Sequence, residues 1–175
     1  TNLVNNSGVI ASNVAAVGTA RAGINAASYD GSNKGIFFGG QTSGVTAISN
    51  LVSTSGVVAS DTSAVSGVTA RRFSAGASFG GDKAIFAYGR DGGSNGLSMS
   101  NIGVVAADAT GAGTARNALG AAPYGGDKGA FGFGYIAEEA SNLKTLVSNT
   151  GVVAANVTGV GTARYYTSGA GYSYS

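Results

Sequence analysis

Residues 80–89 read GGDKAIFAYG, and two other stretches of the chain have nearly the same sequence. Residues 125–134 read GGDKGAFGFG, and residues 31–40 read GSNKGIFFGG. Each stretch begins with residues typical of turns and continues from a lysine into a short apolar run. Phe86 and Tyr88 are two positions apart, so in a β-strand they lie on one face. The stretch therefore predicts a turn that leads into a strand, written three times in one chain.

Two further markers recur with the same period. A Gly-Val step recurs at spacings of 48, 47 and 48 residues, at Gly8, Gly56, Gly103 and Gly151. A Thr-Ala-Arg triplet recurs at spacings of 50, 45 and 48 residues, ending at Arg21, Arg71, Arg116 and Arg164. The agreement of these markers indicates an internal repeat. We divide the chain into a partial unit (1–20), three units (21–70, 71–115 and 116–163) and a second partial unit (164–175).

One unit holds four predicted strands. In the unit 71–115 we place them at 72–79, 83–89, 97–106 and 111–116, separated by glycine, aspartate, serine and asparagine clusters that favour turns. No segment keeps a 3.6-residue apolar period over three turns, and glycine interrupts every candidate helix. The sequence therefore predicts an all-β fold that is almost free of helix.

The order of these elements resembles a known family of repeats. An Ala-Arg step, a small-residue strand, Gly-Asp-Lys, an apolar strand, a polar loop and a valine-rich strand are similar to kelch-like β-propeller repeats. They look especially like the Gly/Ser-rich kelch-like repeats of phage and marine-virus structural proteins. The chain differs in having no tryptophan, and it keeps the Gly-Gly doublet after the second strand only at Gly39-Gly40. The resemblance implies a structural or interaction module, such as a tail, fibre or capsid-decorating protein, in the virion or outside the cell. The alternative is a carbohydrate-binding adhesin or a receptor-binding propeller.

The number of predicted strands in each repeat favours a small β-propeller of about four kelch-like blades. Four short strands every 40 to 50 residues or so are typical of a propeller blade. The predicted first strands carry small residues, which suit the crowded axis of a narrow propeller: Ala26, Ala27, Ala75, Ala77, Ala121 and Ala122. The alternative is a β-solenoid or fibre, whose rungs usually repeat at about 20 to 30 residues.

The last repeat is incomplete in this sequence. We read about fifteen strands, one fewer than four complete blades would need. The sequence begins at Thr1 without methionine or a signal peptide, so we expect a processed chain or a fragment. Either the tyrosine-rich residues 165–175 cover a short blade, or a neighbouring chain adds the absent strand. We expect homo-oligomers or other structural proteins as partners, with contacts at residues 1–11, 165–175 or both.

Composition excludes several classes of function. A net charge of +2 and a charged fraction of 10% do not suit nucleic-acid binding. No apolar run is long enough to insert into a membrane. The sequence has no cysteine and no histidine, which removes thiol nucleophiles, the usual zinc sites and the commonest general base. We therefore expect no enzymatic activity, no cofactor and no metal site.

The arginines of the repeated triplet form one candidate site. Arg21, Arg71, Arg116 and Arg164 share one register, so a propeller would arrange them in a ring. Such a ring can hold a carboxylate or phosphate of a ligand or glycan. Alternatively, each arginine bonds loop carbonyls or an aspartate of the next blade and is purely structural, which is the reading that we favour.

Aromatic residues form the second candidate site. Tyr29, Phe79 and Tyr124 recur at the end of the first strand, and Tyr172 is the nearest fourth match. At a loop edge these rings can stack on the sugars of a surface glycan. Alternatively, they cap the core of each blade and seal it against the next blade, and we favour this second interpretation.

Overall fold

The computed structural model describes residues 2–5 and 7–171, and of residues 97–99 it describes the backbone only. In this part of the chain the regular structure is entirely β and no helix occurs. The prediction of an all-β fold is confirmed. The strands are short, and they assemble into several small antiparallel sheets.

Three of these sheets repeat one three-stranded meander, and a two-stranded ribbon is inserted in the third. The first contains β1 (Asn25–Tyr29), β2 (Lys34–Phe38) and β3 (Ser49–Val52). The second contains β4 (Ala75–Phe79), β5 (Lys83–Ala87) and β6 (Gly96–Met99). The third contains β7 (Gly120–Tyr124), β8 (Lys128–Gly132) and β11 (Lys144–Val147), and the ribbon is β9 (Tyr135–Ile136) with β10 (Glu139–Ala140).

The repeated GGDK stretch forms the turn between the first and second strands, as predicted. In the second sheet Phe79 pairs with Lys83 across this turn, and Tyr124 pairs with Lys128 in the third. Gly80 and Gly81 have φ angles of 61° and 77°, which glycine adopts without steric cost. The turn residues thus fix the register of each hairpin.

In the unit 71–115 the predicted third strand is too long, and the predicted fourth strand is wrong. Strand β6 ends at Met99, and the chain turns at 100–103 within the predicted strand 97–106. The Ser100 hydroxyl accepts the Val104 N–H at 3.2 Å, and Gly103 has a φ angle of 87°. The chain then returns beside β6, with a bridge between Gly96 and Ala109. The segment that pairs with β6 therefore precedes the predicted 111–116, and it makes an isolated bridge rather than a regular strand.

Side-chain size differs across the interface between neighbouring sheets. The first strands are packed against one another, β1 on β4 and β4 on β7. A Cβ added at Gly76 would stand 2.7 Å from the Ala26 carbonyl oxygen, so these strands approach closely. Bulky side chains fill the space between the second strands, where the Phe38 and Phe86 rings lie 5.2 Å apart. The sheets are therefore closest at their first strands.

Backbone hydrogen bonds join successive units in one repeated geometry. The Phe73 N–H donates to the Gly23 carbonyl, Ala118 to Phe73, and Tyr166 to Ala118, at 2.7 to 2.9 Å. Phe73, Ala118 and Tyr166 all have φ angles of 52° or 53°, in the left-handed region that non-glycine residues rarely adopt. The conformation recurs because each residue occupies the same position of the repeat.

Two shorter elements flank the three sheets. The N-terminal hairpin (residues 2–5 and 7–13) is held by a bridge between Val4 and Ile10. The C-terminal segment (residues 164–171) follows the third unit and covers β7, since a Cβ added at Gly120 would stand 2.9 Å from the Thr167 hydroxyl oxygen. Its Arg164 carbonyl accepts the Gly134 N–H, just after β8, at 3.0 Å. This segment takes the position that the first strand of a further unit would occupy.

Candidate functional site

Each of the first three repeat arginines reaches across its own sheet. The Arg21 Nε donates to the Gly39 carbonyl at 2.7 Å, and its Nη2 donates to the Asn50 side chain. Its Nη1 lies 3.6 Å from the Asp61 carboxylate. The aspartate belongs to the same unit as the arginine, whereas the sequence analysis placed it in the next blade.

Arg71 is the most enclosed of these arginines. Its side chain is fully buried, and its Nη2 donates to the Asp108 carboxylate at 2.6 Å. Its Nη1 donates to the Asn95 carbonyl at 2.7 Å. Burial lowers the pKa of Arg71, and the Asp108 charge opposes this effect. An arginine keeps its proton in proteins, so the pair is a buried ion pair.

Arg116 is buried without an ion-pair partner among the described residues. Its Nη2 donates to the Thr145 hydroxyl at 2.9 Å, and its Nη1 to the Asn156 side chain at 3.3 Å. The guanidinium carbon lies 4.1 Å from the centre of the Tyr88 ring. Burial lowers the pKa of Arg116, and the neighbouring Tyr88 raises it.

Arg164 differs because it is exposed. Its guanidinium carbon lies 4.4 Å from the Phe133 ring centre, and its Nε donates to the Thr162 carbonyl at 3.3 Å. The other three guanidinium groups are each engaged by their own sheet. Arg164 is therefore the member of the set that an external anion reaches directly.

A second set of polar contacts links successive units, and the sequence analysis missed it. The Thr19 hydroxyl donates to the Asp61 carboxylate at 2.6 Å, and the Asn156 amide donates to the Thr114 hydroxyl at 2.6 Å. Between them, the Thr69 N–H donates to Asp108 at 3.3 Å. Each threonine begins a Thr-Ala-Arg triplet, and an aspartate or asparagine follows 39 to 42 residues later. This spacing between the threonine and the aspartate or asparagine is visible in the sequence and could have identified the contact.

The three aromatic candidates that the structure describes are in two different environments. Tyr29 and Phe79 are buried. A Cβ added at Gly103 would stand 3.3 Å from the Tyr29 hydroxyl, and one at Gly151 would stand 2.9 Å from the Phe79 ring. Each of these rings therefore lies against the outer turn of the next unit. Tyr124 is 37% exposed, and Tyr172 lies outside the described residues.

Lysines at the hairpin turns pair with adjacent acidic residues. Lys83 lies 2.6 Å from the Asp82 carboxylate, and Lys128 lies 2.7 Å from Asp127. The hydrogen bond from each ammonium group holds the pKa of its aspartate below the ordinary range. These pairs are solvated, and such pairs usually add little stability.

An open cleft of about 330 Å³ lies beside the inserted ribbon, and the sequence analysis did not identify it. Glu138 contributes a carboxylate and Arg90 a guanidinium group. Tyr166 is largely exposed, and its ring lies 6.2 Å from the Phe73 ring. The complete lining is Phe73, Arg90, Asn117, Tyr135, Ala137, Glu138 and Tyr166. Rings and planar polar groups together suit a polar ligand with flat faces.

Several kinds of site are not found in the described part of the chain. No three histidine, cysteine, aspartate or glutamate residues are grouped closely enough to hold a metal ion. The same residues contain no helix of the length and apolarity needed to cross a membrane. Comparison with protein families and with curated proteins finds no match for this chain.

Proposed function

We propose that this protein is a non-enzymatic structural and interaction module that assembles with copies of itself or with partner proteins. Its place is in a virion, as a tail, fibre or capsid-decorating component. The resemblance of the repeats to kelch-like repeats of phage structural proteins supports the virion assignment. The absence of histidine and cysteine from the sequence supports a role without catalysis.

The proposed architecture is a small propeller whose blades are the repeated sheets. Small residues separate the first strands, whereas the rings of Tyr88 and Phe131, 5.7 Å apart, lie between the second strands. Sheets that approach at one edge and diverge at the other radiate from an axis, as blades do. A solenoid would keep its rungs evenly spaced along their length.

One observation supports this function most: the polar residues of the repeat bond to one another within and between units. Arg71 and Asp108 hold one sheet together, and Asp108 also accepts the Thr69 N–H of the preceding unit. These residues therefore serve internal docking. A chain that devotes its repeated polar groups to joining like units is built to assemble.

The virion assignment is tested on particles purified from the source of the sequence. We expect mass spectrometry of washed particles to find this protein in many copies, and immunogold labelling to place it on one particle structure. A cellular enzyme co-purified by chance provides the control. Loss of the protein on washing, with its full amount left in the soluble fraction, would refute a structural role in the virion.

A second candidate function is carbohydrate binding at the cleft beside the ribbon. The exposed Tyr166 ring offers a face for a sugar, and Glu138, Arg90 and Asn117 offer hydrogen-bonding groups. Aromatic rings bury the apolar face of a ligand and orient it. Titration of a glycan library tests this function: Tyr166→Ala should abolish any binding that Ile102→Ala, at an exposed apolar residue outside the cleft, leaves intact.

A further inference from the structure

The two complete internal interfaces share an aromatic contact. Tyr29 at the end of β1 lies against Gly103 in the outer turn of the next unit. Phe79 at the end of β4 lies against Gly151 in the same way. A side chain at either glycine would collide with or crowd the ring. Successive units are thus joined twice in the same way, by an aromatic ring at the end of a first strand that packs on a glycine in the outer turn of the next unit.

A polar contact accompanies the aromatic one. A threonine near the end of one unit bonds an aspartate or asparagine of the next at all three junctions: Thr19 with Asp61, Thr69 with Asp108, and Thr114 with Asn156. At the last junction the asparagine Nδ2 is the donor to the threonine hydroxyl. The junction therefore accepts asparagine as well as aspartate.

The face at the C-terminal end carries one half of both contacts, the aromatic ring and the threonine. Tyr124 stands at the position of Tyr29 and Phe79, and it is 37% exposed, whereas those two rings are 3% exposed. Thr162 stands at the position of Thr19, Thr69 and Thr114, and it is exposed. Among the described residues its hydroxyl has no hydrogen-bond partner. Apart from residues 164–171, which lie against β7, no segment among the described residues continues this face.

The N-terminal hairpin carries the other half of both contacts, a glycine turn and an asparagine side chain. A Cβ added at Gly8 would meet no atom within 4 Å, although Gly8 occupies the register of Gly103 and Gly151. The Asn13 Oδ1 accepts the Asn2 amide at 2.9 Å, as Asp61 accepts the Asn50 amide at 2.8 Å. The Asn13 Nδ2 is then oriented as a donor in the way that the Asn156 Nδ2 is.

The exposure of Ile10 also indicates that the N-terminal hairpin pairs with the face at the C-terminal end. Ile10 occupies the position of Val105 and Val153, which are 8% and 9% exposed because a preceding unit covers them. Ile10 is 66% exposed. Covering this residue against the third sheet removes apolar surface from water, which favours association.

From these complementary faces we infer that a second copy of this chain docks head to tail, its N-terminal hairpin covering the third sheet of the first copy. Tyr124 of one copy lies against Gly8 of the other, and Thr162 bonds Asn13. The inference rests on the proposed assembly function and names the partner and the surface. The interface is heterologous, so copies add in series and form either a ring or a filament.

Cysteine crosslinking tests the pairing directly, because the natural chain has no cysteine. The variant T114C/N156C calibrates the chemistry: the shortest bismaleimide that joins these two positions within one chain is chosen. Chains carrying only N13C are mixed with chains carrying only T162C and treated with that reagent. We expect an N13C–T162C heterodimer as the main product. Val57 is an exposed residue of an internal outer turn, so V57C replaces N13C as the matched control and should give none.

A second variant removes the dependence on cysteine substitution. Tyr124→Ala changes an exposed ring, so the fold is retained, and association of the otherwise natural chain should weaken about tenfold, as expected for loss of an aromatic interface contact. Absence of the heterodimer, or unchanged association of Tyr124→Ala, would overturn the inference. A double variant N13C/T162C that crosslinks only within one chain would overturn it too, since the faces would then close on each other.

The outcomes separate this inference from the proposed function. Sedimentation of the natural chain is measured at the concentration used for crosslinking. If the chain associates but the heterodimer is absent, copies assemble through another surface, and only the head-to-tail inference fails. If the chain neither associates with itself nor occurs in particles, the proposed function fails as well.

Discussion

The Arg116 guanidinium carbon lies 4.1 Å from the centre of the Tyr88 ring, whereas Arg71, at the same position of the repeat, has a carboxylate partner. Gly39 stands at the position of Tyr88 in the first unit, so Arg71 has no ring beside it there. It pairs with Asp108 at 2.6 Å. Burying a cation costs free energy unless nearby groups stabilise its charge. A carboxylate stabilises the charge of Arg71, and an aromatic ring stabilises that of Arg116.

Removing the Asp108 carboxylate should strongly destabilise the protein. Asp108→Ala leaves the fully buried Arg71 charge unpaired, and the expected loss is about 3–5 kcal/mol in the free energy of unfolding. Urea denaturation measures this loss. Asp91→Ala is the matched control, since Asp91 is exposed and lies 3.6 Å from Arg72, and it should cost no more than about 1 kcal/mol. Equal losses in the two variants would contradict the buried ion pair.

Giving Arg116 a carboxylate should stabilise the protein. Asn156→Asp places a charged acceptor 3.3 Å from Nη1, and the Thr114 hydroxyl can donate to it as Thr19 does to Asp61. Exchanging a neutral for a charged acceptor is worth about 1 kcal/mol. Asn13→Asp changes the same register position in the N-terminal hairpin, which has no arginine, and should bring no gain. A destabilised Asn156→Asp protein in thermal unfolding would argue against this reading of the junction.

Acid should weaken the link between the first two units. The Thr19 hydroxyl, and next the Asn50 amide, hold the pKa of Asp61 below its ordinary range. The unfolded chain therefore binds a proton more readily, so this stabilisation is present above about pH 3.9 and is lost as the pH falls through the lowered pKa. Unfolding from pH 7 to pH 2 measures the dependence. Asp61→Asn should reduce it, and an unchanged acid profile in that variant would refute the assignment.

The close approach of the first strands predicts a contrast between two glycines. A Cβ at Gly76 would stand 2.7 Å from the Ala26 carbonyl oxygen, whereas one at Gly132 would meet nothing within 4 Å. Gly76→Ala should therefore cost about 1–3 kcal/mol through overpacking. Gly132→Ala, also in a strand, should be neutral or slightly stabilising. Chemical denaturation of both variants decides, and equal stabilities would show that the sheets do not approach as described.

Local features of the fold are predictable from the sequence. The turn at residues 80–82 and the strand that begins at Lys83 follow from turn-forming residues and a short continuous apolar run. The strand 97–106 was mispredicted because a valine-rich end outweighed Ser100 and Gly103, whose hydroxyl and left-handed backbone make a turn. The Ser-x-x-Gly spacing recurs at Ser53 and Ser148, so this signal was present in the sequence.

The candidate site is less predictable, because its contacts join distant residues. Asp108 follows Arg71 by 37 residues, and only the course of the sheet brings the two together. The repeated arginines are visible in the sequence, but their partners are not. The cleft beside the ribbon depends on an insertion found in one unit, so no repeated pattern marks it.

Sedimentation equilibrium of the natural chain and of Tyr124→Ala, over a wide range of concentrations, tests most directly whether the chain is a module that docks like units. The account predicts that the average mass of the natural chain rises with concentration to multiples of one chain. The mass of Tyr124→Ala should rise only at about tenfold higher concentration, because one exposed ring of the docking face is missing. A natural chain that keeps the mass of one chain at every concentration would contradict the account.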